Sequence, residues 1–125
     1  MRIIQLVENW LASEGYKHEI DSDGDVKFRY EGHTFWFCPG KDETFFRIIM
    51  PNIYTVEGNR ERVLEAANKV TRDVKVLKAF LVEDNLWLAI EMFIDSSPEV
   101  EDFMERCLDI LVEGFKMSAR EILGQ

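Results

Sequence analysis

The spacing of apolar residues predicts three amphipathic helices. In three stretches apolar side chains recur at three- and four-residue steps, which is typical of a helix with one buried face. The first covers 3–13 and ends before Gly15, a natural left-handed cap. The second follows Asn59, a good N-cap residue, and runs to Val74. The third begins at Ser97-Pro98 and continues for roughly 25 residues.

The segments between the helices have the period of two that is typical of strands. Along 26–31 the apolar Val26, Phe28 and Tyr30 alternate with charged residues, and short turns join this segment to the next ones. Pro51 is expected to end this set of strands because proline cannot donate a hydrogen bond to a ladder. Segments 74–82 and 86–94 are apolar on both sides of the pleat, which indicates that both sheet faces are partly covered.

These elements predict one α+β domain spanning 1–125. We expect an antiparallel sheet of about five strands with three helices mainly on one face, in the order α-β-β-β-(β)-α-β-β-α. Short connections between successive strands favour this antiparallel arrangement.

Composition and charge exclude several classes of function. With 46% hydrophobic residues the chain is not of the disordered type, and the longest apolar runs are too short for a membrane span. The first ten residues contain Gln5 and Glu8 where a signal peptide would be apolar, so we expect a cytoplasmic protein. A net charge of −9 disfavours nucleic acid as a partner.

The motif DSDGD resembles the start of a calcium-binding loop but lacks the rest of it. Asp21, Asp23 and Asp25 have the spacing of ligands, whereas Val26 and Gly32 occupy the positions where an EF-hand needs glycine and glutamate. A solvated hairpin turn explains the motif better.

Histidine and cysteine suggest neither a metal site nor a nucleophile. His18 and His33 lie in predicted strands without partners at motif spacing, and Cys38 and Cys107 form no CxxC pair. In a reducing compartment both cysteines are expected to be small buried hydrophobic residues. We therefore predict no catalytic residue, no metal and no cofactor.

Two polar residues interrupt apolar elements. Asn68 lies within the second helix, and Lys78 interrupts an apolar strand ten residues later. One interpretation is structural: the asparagine bonds to neighbouring backbone and the lysine reaches solvent from the sheet. The other is a pocket that binds a small molecule or substrate near both residues.

Four large aromatic residues are candidates for an interaction surface. Trp36, Phe45, Trp87 and Phe93 fall on strand positions opposite those that the helices would cover. If no helix covers that face, another chain is expected to do so.

The whole chain resembles the YbjN family of bacterial proteins, whose members are labelled sensory transduction regulators. The resemblance rests on EGY at 14–16, on DVKFRYEGHTFWF at 25–37 and on VLEAANKVTRDVKVLKAFLVEDNLWLAIEMF at 63–93. Within the last segment, AAN at 66–68 and KAF at 78–80 are the distinctive marks. The resemblance implies the fold of type III secretion chaperones, which dimerise and hold extended client segments, and it implies no catalytic chemistry.

Three hypotheses for function follow. The first is a non-enzymatic binding or regulatory module, a homodimer that binds a protein or peptide client at a sheet edge or an aromatic groove. The second, from another class, is a small-molecule-binding domain or small enzyme with a pocket near Asn68 and Lys78. The third, regulation linked to nucleic acid, is disfavoured by the charge.

Overall fold

The computed structural model describes residues 2–41, 44–95 and 98–124 as an antiparallel sheet with helices on one side. The elements before the second helix are α1 (Ile3–Ser13), β1 (His18–Ile20), β2 (Val26–Tyr30), β3 (His33–Pro39) and β4 (Phe45–Thr55). Those that follow are α2 (Arg60–Asp73), β5 (Leu77–Val82), β6 (Asn85–Phe93), a 3-10 turn (Val100–Asp102) and α3 (Met104–Leu123).

In the described ranges the sheet has six strands in the order β1-β2-β3-β4-β6-β5, each pair antiparallel. Hairpin turns connect β1 to β4 in sequence, and α2 then carries the chain to the far edge, so that β6 returns beside β4. The predicted α+β class with helices on one face is confirmed, and the sheet has one strand more than the expected five.

The core lies between this sheet and the helices. Alternate strand residues such as Phe28, Phe37 and Ile48 are fully buried against Leu11 of α1 and Leu111 of α3. Because side chains of a strand alternate between the two faces, the same register that buries these residues directs their neighbours away from the helices.

Pro51 does not end β4, and the expectation that it would is wrong. The strand continues to Thr55, but its pairing with β6 shifts between Met50 and Tyr54. Asn52 within this bulge has a φ of 54°. Proline is tolerated where a bulge interrupts the ladder, because no hydrogen bond is then required of its nitrogen.

The last helix begins later than predicted. Ser97 lies outside the described residues, and Pro98 is not at the first helical position, because a 3-10 turn comes first and α3 starts at Met104. Phe103 separates the two with a φ of −124°, and its ring stacks on Phe46 at a centroid distance of 5.0 Å. This packing interrupts the helix that the spacing of apolar residues had suggested.

The other two predicted cap residues, Gly15 and Asn59, both stand at helix ends, but the side chain of Asn59 does not bond as a cap. Gly15 follows α1 with a φ of 80°, as expected of a left-handed cap. Asn59 is the N-cap of α2, but its side chain accepts a hydrogen bond from the backbone N–H of Glu57 and donates one to the Tyr54 hydroxyl instead of capping the helix.

None of the helices in the described ranges combines the length and apolar character that a membrane span requires.

Candidate functional site

The face of the sheet opposite the helices, which we call the open face, is the most distinctive surface of the molecule. The register of all five strand pairs identifies the side chains that point to it. These residues are Glu19, Lys27, Arg29, Thr34, Trp36, Cys38, Phe45, Arg47, Ile49, Thr55, Lys78, Phe80, Val82, Asn85, Trp87, Ala89, Glu91 and Phe93.

All four aromatic residues named as a candidate interaction surface lie on the open face, in two groups. Trp36 and Trp87 are half-buried near its centre, and the Trp87 indole nitrogen donates to Asn52 Oδ1 at 3.0 Å. Phe45 and Phe93 lie directly opposite each other on β4 and β6, with 45% and 90% of their surface exposed. Phe45 lies four strand residues, about 13 Å, from the position paired with Trp36, and Phe93 lies six residues, about 20 Å, from Trp87.

One row of directly paired residues crosses all six strands of the open face. It runs through Glu19 of β1, Lys27 of β2, Trp36 of β3, Ile49 of β4, Ala89 of β6 and Lys78 of β5. No described helix covers its centre, yet Ile49 is only 6% exposed and Ala89 is fully buried. Neighbouring side chains therefore shield them, and the row presents an apolar centre between two cations.

The two lysines that flank the apolar centre of this row contact aromatic rings. Lys27 Nζ lies 5.4 Å from the ring centroid of Trp36, and Lys78 Nζ lies 5.9 Å from that of Phe80. Each lysine also has a carboxylate partner on the same face: Lys27 Nζ lies 4.0 Å from Glu19 Oε1, and Lys78 forms an ion pair with Glu91. These cation–π contacts hold the ammonium groups close to the apolar part of the surface.

A cleft opens beside the row at the step from β3 to β4. Direct pairing of these strands ends at Trp36 and Ile49, and the bulge in β4 follows two residues later. The cleft has a volume of about 440 Å³. Its lining consists of Lys27, Gly32, His33, Thr34, Trp36, Met50, Pro51, Asn52, Ile53 and Phe115. The rings of His33 and Phe115, 4.6 Å apart, close it on the helix side.

Two other clefts differ from the β3–β4 cleft in charge. One of about 530 Å³ runs along α3 and is lined by five carboxylates and a single arginine. Another, of about 400 Å³, lies beside the end of β6 and contains three carboxylates among its described lining. By contrast, the ten residues lining the β3–β4 cleft include a lysine and no carboxylate.

The edges of the sheet offer little backbone for pairing with another strand. At the β5 edge the backbone N–H of Ala79 donates to Thr71 Oγ1 of α2 at 2.9 Å, and this hydroxyl is 3.3 Å from the Ala79 carbonyl oxygen. The other edge is β1, which is three residues long. Short or covered edges are a common way to prevent unwanted strand addition.

The structure does not bring Asn68 and Lys78 together. Asn68 is exposed on α2, which packs on the helix side of the sheet, whereas Lys78 points to the open face with half of its side chain exposed. It is Thr71, three residues after Asn68, that bonds to strand backbone. This geometry gives no support to a shared pocket for a substrate.

Neither cysteine has the properties of a nucleophile. Burial, followed by the nearby Asp25 carboxylate, raises the pKa of Cys38 to about 12. Burial raises the pKa of Cys107 to about 11. Both thiols are therefore protonated at neutral pH, and a protonated thiol reacts poorly.

The predicted hairpin turn explains the acidic DSDGD motif. Asp21 Oδ1 accepts hydrogen bonds from the backbone N–H groups of Asp23 and Asp25, at 2.9 and 3.0 Å. This arrangement is typical of an aspartate that shapes a turn. The three carboxylates lie within 4.8 Å of one another at this turn between β1 and β2.

Sequence patterns did not reveal the β3–β4 cleft or the paired row. Both depend on which residues of β4 pair with β3 and β6, and the bulge at 51–53 changes the pairing with β6 only after Met50. The only local signal was the Pro51-Asn52 pair within an otherwise regular strand. Proline inside a strand pattern indicates a bulge or an edge.

Comparison with known proteins agrees with the architecture. A family model described as "T3SS (YopN, CesT) and YbjN peptide-binding chaperone 1" matches residues 2–122. The crystal structure of YbjN from E. coli is similar at 11% identity, with a TM-score of 0.62 over 97% of this chain and 89% of that one. An uncharacterized protein from Methanothermobacter thermautotrophicus matches at 20% identity, with a TM-score of 0.50 over 96% of this chain and 91% of its own. No curated protein gives a significant sequence match.

Proposed function

Because this chain belongs to the family of T3SS (YopN, CesT) and YbjN peptide-binding chaperones, we propose that it binds an extended segment of another protein on the open face. The role is that of a non-enzymatic holding module. The observation that carries the proposal is the group of aromatic side chains that strand register directs away from every described helix.

The open face has the composition that protein recognition favours. Tryptophan, phenylalanine and arginine are enriched at the centres of protein interfaces, where they supply large contact areas. Here Trp36, Trp87 and Phe80 are half-buried, so part of each ring is available to a partner while its orientation is already fixed. Fixed orientation lowers the entropy that binding must overcome.

The arrangement of the ionisable residues supports a non-enzymatic role. The thiols are held protonated, and His18 Nε2 lies 3.5 Å from a Glu8 carboxylate oxygen at the surface. Lys78, the one sheet residue considered for a catalytic pocket, is paired with Glu91 in a solvent-accessible position.

We further propose that the protein acts in the cytoplasm as a homodimer, which would present two open faces to one client. Two linked faces would raise the effective affinity for a segment long enough to reach both. Sedimentation velocity across a hundredfold range of concentration tests the assembly, and a single monomeric species throughout would contradict it.

The binding proposal is tested with peptides selected from a random twelve-residue display library. We expect Trp36→Ala and Trp87→Ala to weaken binding of the selected peptides by about thirtyfold each, the usual effect of truncating an aromatic hot spot. Leu64→Ala is the matched control, because Leu64 is a large apolar residue of α2 with 48% of its surface exposed. Equal losses in Leu64→Ala, or a library that yields no binder, would contradict the proposal.

A further inference from the structure

Charge is distributed unevenly between the open face and the rest of the molecule. The whole chain has 15 basic and 24 acidic residues. Strand positions on the open face instead carry four basic side chains, Lys27, Arg29, Arg47 and Lys78, and two acidic ones, Glu19 and Glu91. Asp25 lies at the rim, where its carboxylate raises the pKa of Cys38. The face is thus basic on a strongly acidic protein.

The paired row fixes where two of these cations lie relative to each other. Four inter-strand steps separate Lys27 from Lys78. At about 4.8 Å per step their backbone positions are about 19 Å apart. An extended peptide rises about 3.3 Å per residue, so about six residues span this distance, and residues six apart point to the same side of an extended chain.

Resting on the proposed function, we infer that the partner is an extended acidic peptide that crosses the strands of the open face. It carries carboxylates at positions i and i+6, which meet Lys27 and Lys78, and apolar side chains at i+2 and i+4, which pack between Trp36 and Trp87. The β3–β4 cleft beside Lys27 accepts the first carboxylate, with Thr34 and Asn52 as neutral polar neighbours.

The peptide crosses the strands and does not extend the sheet, because both sheet edges offer little backbone for pairing. Thr71 occupies the outward-facing backbone groups of Ala79 in the middle of β5, and β1 offers only three residues. A peptide added at either edge would gain few main-chain hydrogen bonds, whereas side-chain contacts on the open face need none.

A second copy of this chain fits the open face less well. Lysines flank the apolar centre of the row on both sides, so a two-fold related copy laid along it places Lys27 and Lys78 against the same cations of the other copy. Single-stranded nucleic acid would find aromatic rings and four cations, but it carries a negative charge on every nucleotide. A protein of net charge −9 repels such a polyanion more strongly than a peptide with two carboxylates. Both occupants are outcomes of the test.

The experiment uses four fluorescein-labelled eleven-residue peptides with the same two leucines at positions 5 and 7 and serine or glycine elsewhere. The first has glutamate at positions 3 and 9, the second glutamine there, and the third lysine. The fourth has its two glutamates adjacent at one end. Fluorescence anisotropy is measured with each peptide, and with a twelve-nucleotide oligothymidine as a further probe.

We expect the first peptide to bind about tenfold more tightly than the glutamine peptide, because each of its two partly exposed ion pairs with the protein contributes a small favourable free energy. The lysine peptide and the peptide with adjacent glutamates should bind more weakly still. Lys27→Gln should weaken only the first peptide, and the double variant Lys27→Glu/Lys78→Glu should reverse the preference in favour of lysine. Lys116→Glu, which changes an exposed residue of α3, is the control and should leave all affinities unchanged.

The outcomes separate the inference from the proposed function. Binding of the lysine peptide as tightly as the glutamate peptide would overturn the inference and leave peptide binding intact, whereas no binding by any peptide would overturn both. Oligothymidine binding that Lys27→Gln abolishes would overturn the inference in favour of nucleic acid. A dimer in sedimentation that Lys27→Glu/Lys78→Glu alters would overturn it in favour of a second copy.

Discussion

Replacing Thr71 by valine removes the contact that closes the β5 edge. Its hydroxyl accepts the backbone N–H of Ala79 at 2.9 Å and lies 3.3 Å from the Ala79 carbonyl oxygen, both at exposed positions. A hydrogen bond contributes about 0.5 to 1.5 kcal/mol net, and exposed groups fall at the lower end because water replaces the lost partner. Since valine and threonine have similar shape and helix propensity, we expect a loss of about 1 kcal/mol.

Urea unfolding measures this loss, and Thr71→Ser is the matched control because it keeps the hydroxyl. With an m-value of about 1.5 kcal/mol/M, the midpoint for Thr71→Val should fall by about 0.7 M with an unchanged slope. The serine variant should lose clearly less.

Amide exchange followed by NMR locates the effect. The N–H of Ala79 points to Thr71, and since successive residues of a strand alternate, that of Phe80 points to Trp87 of β6. In Thr71→Val the Ala79 amide should therefore exchange faster than wild type by a larger factor than the Phe80 amide. Equal changes at both amides, or a serine variant as unstable as the valine variant, would refute the assignment of the hydroxyl to edge closure.

Two further predictions concern buried polar and ionisable groups. Tyr30→Phe should lower the free energy of unfolding by about 1 to 2 kcal/mol. The reason is that the Tyr30 hydroxyl donates a hydrogen bond to Asp109 Oδ1 at 2.6 Å, which links the sheet to α3. A loss below about 0.3 kcal/mol in urea unfolding would contradict this. The contribution of the two thiols to stability should be constant below pH 8.5 and fall as the pH rises toward 11 to 12, because the folded-state pKa values of Cys107, about 11, and Cys38, about 12, exceed the ordinary thiol value. Circular dichroism against pH should show a shallower decline for Cys107→Ala, and an identical decline would argue against burial of that thiol as a cause.

Local patterns were enough to predict the class of fold and the side of the sheet that the helices cover. Alternation along β2 and the helical spacing of apolar residues each report burial on one face, and burial dominates the stability of both elements. The same alternation placed Trp36 and Trp87 away from the helices. What alternation does not carry is the pairing of one strand with the next.

The row from Lys27 to Lys78 could not be found from sequence for that reason. It depends on the register that pairs Ile49 with both Trp36 and Ala89, whereas the bulge at 51–53 shifts β4 against β6 only after Met50 and lies beside the cleft. A Pro-Asn pair is compatible with either the end of a strand or a bulge, and only the tertiary contacts of β4 decide between them. The same limit applies to Thr71, whose importance comes from a strand edge that the sequence does not identify.

The central claim, that the open face is where a peptide binds, is tested most directly by ¹⁹F NMR of protein labelled with 5-fluorotryptophan. The chain has three tryptophans: Trp36 and Trp87 on the open face and Trp10 in the core on the helix side. Single Trp→Phe variants assign the three signals. On titration with a selected peptide, the signals of Trp36 and Trp87 should shift in proportion to occupancy while that of Trp10 stays in place. A shift of the Trp10 signal alone, with Trp36 and Trp87 unchanged at saturation, would contradict the claim.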